Sequence, residues 1–167
     1  MRSGWLRHKV TIKSPVETTD VMGSASDHWV DTAAGAWAAN TAKALSDDVV
    51  PTTANSFYYT CTTAGTTHAA TEPTWPTTLA STVADNTVVW TCTGFDVFAS
   101  VSPLKSTEVI QQDQLDNIIT HRVRIRYRSD VTSKMRIYFG TRVFRIEGIY
   151  NWEEKNVYLE CRCSEVD

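Results

Sequence analysis

The chain has 167 residues, enough for one domain of ordinary size or for two small ones. It is 42% hydrophobic and 21% charged, as globular proteins are, and no apolar run reaches the roughly 18 residues of a membrane-spanning helix. The net charge of −3 argues against a general nucleic-acid binder, which would be basic overall.

Residues 1–33 predict two strands joined by a loop. One side of the first strand carries Leu6, His8, Val10 and Ile12. The turn-forming residues between Pro15 and Ser26 indicate a loop, and Asp27–Asp31 indicates a second, short strand. Because the opening residues lack the apolar core of a secretory signal, we expect the protein to be made and folded in the cytoplasm of the producing cell.

Residues 34–95 have a different composition, with 16 threonines, one lysine, no arginine and a net charge of −3. Threonine, β-branched and aromatic residues favour strands, which we expect at Val49–Val50, Phe57–Cys61 and Val88–Cys92. The aromatic content is too high for a disordered linker. We therefore predict a small β module, 34–95, inserted into a discontinuous host domain formed by 1–33 and 96–167.

The host pattern returns after residue 95. Predicted strands cover Phe98–Val101, Met135–Phe139, Arg142–Tyr150 and Asn156–Arg162, while Ser106–Ile119 is either one short helix or a loop. The predicted fold class is all-β, a small antiparallel barrel or sandwich with room for one short helix, interrupted by the β-rich insert.

The strand that begins at residue 121 has one apolar face and one arginine face, because its residues alternate with period two. Three apolar residues alternate with four arginines: Val123, Ile125 and Tyr127 with Arg122, Arg124, Arg126 and Arg128. Residues 121–145 hold eight Lys or Arg against one Asp, so we expect this face to meet something anionic.

Three interpretations of the arginines stay open. They could line the channel of a ring and meet DNA phosphates without reading sequence. They could pair with carboxylates of neighbouring subunits, for which the candidates are Glu153, Glu154 and Glu160. They could also form a solvated strand face with ion pairs inside the chain.

No residue set predicts catalysis or metal binding. The histidines are scattered, and the chain has no Cys-x-x-Cys, no Gly-x-Ser-x-Gly and no glycine-rich phosphate loop. We expect Cys61, Cys92, Cys161 and Cys163 to be buried, reduced thiols, with a Cys61–Cys92 bridge as the alternative. We therefore expect no enzyme activity, no catalytic residue, no metal and no cofactor.

Several segments, in order along the chain, resemble the head–tail joining proteins of siphovirus-type tailed phages, also called head-completion or stopper proteins. They are Met1–His8, the Gly23 loop followed by Trp29–Asp31, Thr120–Arg128, Met135–Ile137 and Arg142–Ile149. The resemblance implies a small β-barrel subunit of the virion that forms a homo-oligomeric ring. Its implied partners are a portal or adaptor protein above and a tail protein below, with non-specific contact to packaged DNA, no membrane and no catalytic residues.

Residues 36–94 are loosely similar to small aromatic-bearing carbohydrate-binding modules, although Lys43 and Ser46-Asp47 replace an aromatic residue and a glycine usual there. The candidate contact aromatics are Tyr58, Tyr59 and Trp75. One of the two consecutive tyrosines must face outward, and Trp75 lies at a proline-flanked loop tip. The alternative is that Trp75 covers a small core. A glycan- or capsid-binding accessory module is therefore the second functional hypothesis.

Overall fold

The computed structural model describes residues 3–19, 25–29, 34–104 and 119–166. It divides into two compact units, which we call the barrel unit (residues 1–13 and 96–167) and the threonine-rich unit (residues 14–95). Short 3-10 turns lie at Ser3–Trp5 and Trp152–Glu154. The helix or loop predicted at Ser106–Ile119 falls, except for its last residue, outside the described residues.

Strands make up most of the regular structure. In chain order they are β1 (His8–Lys13), β2 (Val16–Thr19), β3 (Ala25–His28), β4 (Gly35–Ala36), β5 (Ala42–Lys43), β6 (Asp48–Val50), β7 (Phe57–Thr63), β8 (Gly65–Thr66), β9 (Thr82–Asp85), β10 (Val88–Pro103), β11 (His121–Arg126), β12 (Arg136–Phe139), β13 (Arg142–Asn151) and β14 (Tyr158–Val166). Within the described residues, no helix has the length and apolarity needed to cross a lipid bilayer.

The barrel unit is a closed antiparallel barrel of six strands, which confirms the predicted fold class. Its strands follow the order β1-β12-β13-β14-β11-β10, and β1 pairs again with β10. This last pairing joins strands that are distant in sequence and leaves the six-stranded barrel without a free edge.

The interior of the barrel is filled by apolar side chains, as in other small barrels. The inward residues of β11, Val123 and Ile125, are fully buried, and the neighbouring strands add Ile137, Phe144 and Cys161. Because successive side chains of a strand point to opposite faces and Val123 and Ile125 point inward, the even-numbered residues of β11 lie on the outer surface.

The threonine-rich unit has its own core. The first part of β10 pairs with β7 and β9, and β7 continues to β6 and β4, all within the ten-stranded sheet that includes the barrel strands. The β2–β3 and β5–β8 pairs are separate two-stranded sheets. The buried cluster of this unit comprises Val49, Tyr59, Cys61, Val88, Trp90 and Cys92. The three strands predicted in this region are confirmed, with small differences at their ends.

Three details differ from the sequence interpretation. The predicted loop Pro15–Ser26 contains β2 and the start of β3, which form a hairpin of polar residues that lacks an apolar alternation. The strands predicted at Val88–Cys92 and Phe98–Val101 are one continuous strand, β10. The pairing register shifts between Cys92 and Gly94, but this shift does not end the strand. Strand β11 ends at Arg126, two residues earlier than its pattern suggested.

Candidate interaction surface

The outer surface of the barrel carries a group of arginines on two neighbouring strands. We define the arginine face as Arg122, Arg124 and Arg126 of β11 together with Arg162 of β14. In the antiparallel register Arg122 is opposite Arg162, Arg124 is opposite Glu160 and Arg126 is opposite Tyr158. Like charges directly opposite each other repel, so a nearby anion would stabilise the Arg122–Arg162 pair.

Arg128, the fourth arginine of the predicted stripe, is not part of this face. It lies beyond the end of β11, where its Nε and Nη2 donate to the two carboxylate oxygens of Asp130 at 2.9 and 2.5 Å. This hydrogen-bonded guanidinium lowers the pKa of Asp130, although burial opposes the shift. Asp130 therefore balances the charge of Arg128 within the turn, although the strand pattern had predicted that Arg128 belongs to the arginine surface.

Glu160 is the anion within the arginine face, and it is only 6% exposed. Its Oε1 lies 3.1 Å from Arg122 Nε, and its Oε2 accepts a hydrogen bond of 2.8 Å from Arg124 Nε. Of the three predicted acidic partners, Glu160 is thus used inside the chain. Glu153 pairs with Lys155, and exposed Glu154 has no ion pair among the described residues.

Two arginines of the face retain charges that no described carboxylate balances. Arg126 is exposed, and Arg162 places its guanidinium carbon 4.6 Å from the ring centroid of Tyr150. Four arginines and one glutamate leave a local charge of +3. The face therefore remains able to attract an anionic partner after its internal pairs have formed.

Large apolar side chains border the arginine face and are exposed. Trp152 is 53% exposed, Tyr150 49% and Phe98 63%. Arg124 lies over the ring of Trp152, with 5.4 Å between the guanidinium carbon and the centroid. A Cβ at Gly148 would come within 3.2 Å of the Tyr150 ring, so this glycine leaves room for it. Exposed aromatic residues and arginines together are typical of protein–protein interfaces.

A pocket of about 320 Å³ opens beside Arg124. Its lining residues are Arg124, Trp152, Glu153, Lys155, Val157, Tyr158, Leu159 and Glu160. The turn between β13 and β14 forms one wall, and the side chains of Asn151 and Asn156 hold this turn through a hydrogen bond of 2.7 Å. Apolar walls with a charged base suit a side chain from a partner protein.

A second polar cluster joins the ends of three barrel strands, and the sequence analysis did not identify it. Arg142 donates to both carboxylate oxygens of Glu165 at 2.5 and 2.8 Å, and its Nη2 lies 2.9 Å from His121 Nε2. Burial lowers the pKa of His121, and Arg142 lowers it further. The only sequence signal was that these residues begin or end β11, β13 and β14.

The three candidate aromatics of the threonine-rich unit occupy different environments. Tyr59 is fully buried, with its hydroxyl donating to the Pro76 carbonyl at 2.8 Å, so it cannot contact a ligand at the surface. Trp75 is half-buried, lies 4.4 Å from the Tyr59 ring between centroids and donates its indole N–H to Glu72. Tyr58 is half-buried. Trp75 thus covers the core of this unit.

The acidic residues of β6, β9 and the following loops support the threonine-rich unit from within. Asp85 is 2% exposed and accepts hydrogen bonds from Trp37 Nε1 at 2.8 Å, from Trp90 Nε1 at 3.1 Å and from the His68 backbone at 2.8 Å. Asp48 accepts from Thr60 at 2.5 Å. These carboxylates are engaged in the fold and are not free to bind a partner.

All four cysteines are buried and unbridged. Burial raises the pKa of Cys161 to about 12 and also raises the pKa of Cys163. Both thiols therefore stay protonated near neutral pH, and protonated thiols are poor nucleophiles and poor metal ligands. Within the described part of the chain, no three His, Cys, Asp or Glu side chains converge as a metal site would require.

A family model described as phage head completion protein matches residues 76–166. The chain belongs to this family. The matched residues include β10 to β14, which are five of the six barrel strands, and the whole arginine face. Family membership confirms the resemblance seen in the sequence.

Phage head completion proteins are structural, non-enzymatic components of the virion that act at the head–tail connection, and they interact with other virion proteins. No curated protein matches the chain in sequence. Among solved structures, protein SF1141 from Shigella flexneri 2a is similar, with 22% sequence identity over 99% of this chain and 96% of that one and a TM-score of 0.46.

Proposed function

We propose that this phage head completion protein is a subunit of an oligomeric ring that closes the DNA-filled capsid below the portal or adaptor protein and offers a docking surface to the tail. The observation that carries the proposal is the family match over residues 76–166. The packed interior of the barrel supports it, because a filled barrel leaves no path for DNA within one subunit. Several copies are needed to surround the DNA.

The arginine face acts in this proposal as a protein-contact surface. Glu160 already neutralises part of its charge, and exposed Trp152, Tyr150 and Phe98 border it. Phosphate contacts need cations and hydrogen-bond donors, whereas protein interfaces combine arginine with aromatic residues. The composition of the face therefore favours a protein partner over DNA.

Residues 34–95 are proposed to be a β module inserted into a discontinuous joining domain, 1–33 and 96–167. The division into two compact units supports a discontinuous first domain, and it groups residues 14–33 with the inserted ones. Glycan binding through the insert is less favoured, because Tyr59 is buried and the Trp75 indole is hydrogen-bonded to Glu72.

Complementation of a phage that lacks this gene tests the proposal. Wild-type protein should restore DNA-filled heads with attached tails, and quantitative mass spectrometry should find several copies per purified particle. Without the protein, filled heads should lose DNA and remain tailless. Infectious, DNA-retaining particles that contain none of the protein would contradict the proposal.

A further inference from the structure

We propose that the arginine face binds an extended acidic segment of a neighbouring virion protein, in which two carboxylates four residues apart flank an apolar side chain. The carboxylates pair with Arg126 and Arg162, and the apolar side chain enters the pocket beside Arg124. This inference rests on the proposed connector role and names the chemistry of one of its contacts.

Arg126 and Arg162 are the cations of the face whose charge is not balanced inside the chain. Arg126 is exposed and has no ion pair or hydrogen bond among the described residues. The Nε atom of Arg162 is buried, and it has no hydrogen-bond acceptor in the described part of the chain. Because the Arg162 side chain is only partly buried, a carboxylate can approach its guanidinium from the surface and supply the missing negative charge.

The register of the sheet sets the spacing of these two arginines. Arg162 is opposite Arg122, which lies four residues from Arg126 along β11. At about 3.4 Å per residue, the two cations are therefore separated by roughly 14 Å along the strand direction. An extended segment that lies along the strands places its side chains i and i+4 on one face at the same spacing. The register thus predicts two carboxylates four residues apart in the partner.

The pocket beside Arg124 suits a neutral, apolar side chain. Arg124 lies midway along β11 between Arg122 and Arg126, so the pocket faces position i+2 of the bound segment, which points to the same side as i and i+4. The charges that line the pocket cancel, since its two cations and two anions are Arg124, Lys155, Glu153 and Glu160. The other lining residues are apolar or aromatic: Trp152, Val157, Tyr158 and Leu159.

The spacing of charge along the partner favours a peptide over DNA. A DNA strand carries one phosphate per about 3.4 Å of helix axis, so a strand that contacts both outer arginines also brings phosphates close to Glu160. This carboxylate lies between Arg122 and Arg124 and would repel them. A peptide with uncharged residues between its two carboxylates avoids this repulsion.

Titration of the full-length protein with a synthetic peptide, followed by amide NMR spectra, tests the contact. The probe is the end-capped peptide Glu-Thr-Leu-Thr-Glu, whose symmetric order serves either direction along the strands. It should shift the amide signals of β11, β14 and the turn at residues 152–157, with a Kd of about 0.1–1 mM.

Two control peptides separate the contributions of the carboxylates and of the apolar side chain. Gln-Thr-Leu-Thr-Gln should bind about tenfold more weakly than the probe, and Glu-Thr-Ser-Thr-Glu about threefold more weakly. Equal binding of either control peptide would overturn the inference. So would the absence of shifts at the face at about ten times the expected Kd.

Substitutions in the protein locate the contact on the barrel. Arg126→Gln should weaken binding of the probe about fivefold, whereas Arg126→Lys, which keeps the charge, should weaken it about twofold. The control Lys134→Gln removes an exposed cation elsewhere on the barrel and should leave the affinity unchanged. Unchanged affinity in Arg126→Gln would overturn the inference. A short DNA duplex that shifts the same amide signals at lower concentration than the peptide would assign the face to DNA and overturn it as well.

Purified particles distinguish a failure of this inference from a failure of the proposed function. Arg126→Glu should lower incorporation of the protein about tenfold, whereas Arg126→Lys should stay within about threefold of wild type. Wild-type incorporation of Arg126→Glu would overturn the contact and leave the connector role in place. Absence of the wild-type protein from particles would instead overturn the proposed function.

Discussion

Replacing Glu160 by glutamine should destabilise the isolated subunit, because this carboxylate is bound inside the chain. Its two oxygens lie 3.1 and 2.8 Å from the Nε atoms of Arg122 and Arg124. Glutamine keeps the shape and one acceptor oxygen, but it removes the negative charge. Three arginines of β11 and one of β14 would then remain without an anion between them.

The expected cost is about 2 kcal/mol of unfolding free energy. A hydrogen bond to a charged group is worth about 1.5–3 kcal/mol when it is shielded from water. Arg124 makes such a hydrogen bond, and Arg122 contributes an ion pair. Their side chains are 22% and 25% exposed, so solvent reduces both contributions. The remaining amide acceptor recovers part of the loss.

Urea unfolding of the purified subunit measures this cost. Hydrogen exchange at the amides of β11 and β14 reports the barrel separately from the threonine-rich unit. The matched control is Glu154→Gln, an exposed carboxylate on the adjoining turn, which should change stability by less than about 0.5 kcal/mol. In a double-mutant cycle, Arg124→Gln and Glu160→Gln should couple by about 1–2 kcal/mol.

A different result would assign Glu160 to another task. If Glu160→Gln costs less than about 0.5 kcal/mol in the subunit, yet particles fail to incorporate the variant, the carboxylate serves a neighbouring protein and its internal pairs are incidental.

Three further predictions concern other parts of the chain. Because burial lowers the pKa of His121, the fold favours its neutral form. The contribution of His121 to the free energy of unfolding should therefore be complete above about pH 6.5 and decrease as the pH falls below it. Urea unfolding from about pH 5.5 to 8 should show this pH dependence, and His121→Gln should reduce it. The four cysteines should react with a thiol reagent at pH 7.5 only on unfolding, and rapid labelling of the folded protein would contradict their burial. Gly65→Ala should lower the free energy of unfolding by about 1–3 kcal/mol, since the new Cβ would lie 2.7 Å from the Thr87 carbonyl oxygen. The control Gly35→Ala should be nearly neutral in the same urea unfolding assay, because its Cβ would have no atom within 4 Å.

The strands of the barrel could be predicted from the sequence because their inward residues repeat with period two. Val123 and Ile125 are fully buried as that pattern required. A barrel or a sandwich was predicted, but the strand pair that closes the barrel could not be, since the pairing of β1 with β10 joins residues that no local pattern connects. The β2–β3 hairpin was missed for a related reason, because its polar residues give no apolar alternation.

The candidate site was predicted in part, and the errors have physical causes. The period of two correctly grouped Arg122, Arg124 and Arg126, but it also included Arg128, which a nearby Asp130 binds in the turn after the strand. Arg162 was not assigned to the face, although it lies opposite Arg122, because cross-strand register is set by three-dimensional pairing. Composition could not distinguish the buried Tyr59 from a surface tyrosine.

The barrel separates stability from recognition at the level of single residues. Along β11, Val123 and Ile125 fill the core and Arg122, Arg124 and Arg126 belong to the arginine face, so a substitution at Arg126 changes the surface without disturbing the core residues. Glu160 is the exception, because it is buried and also sets the charge of the face. We expect a variant of Arg126 to fold normally but fail to assemble, and a variant of Glu160 to lose stability. This pair of results would show that Arg126 serves recognition and that Glu160 serves stability, as their contacts indicate.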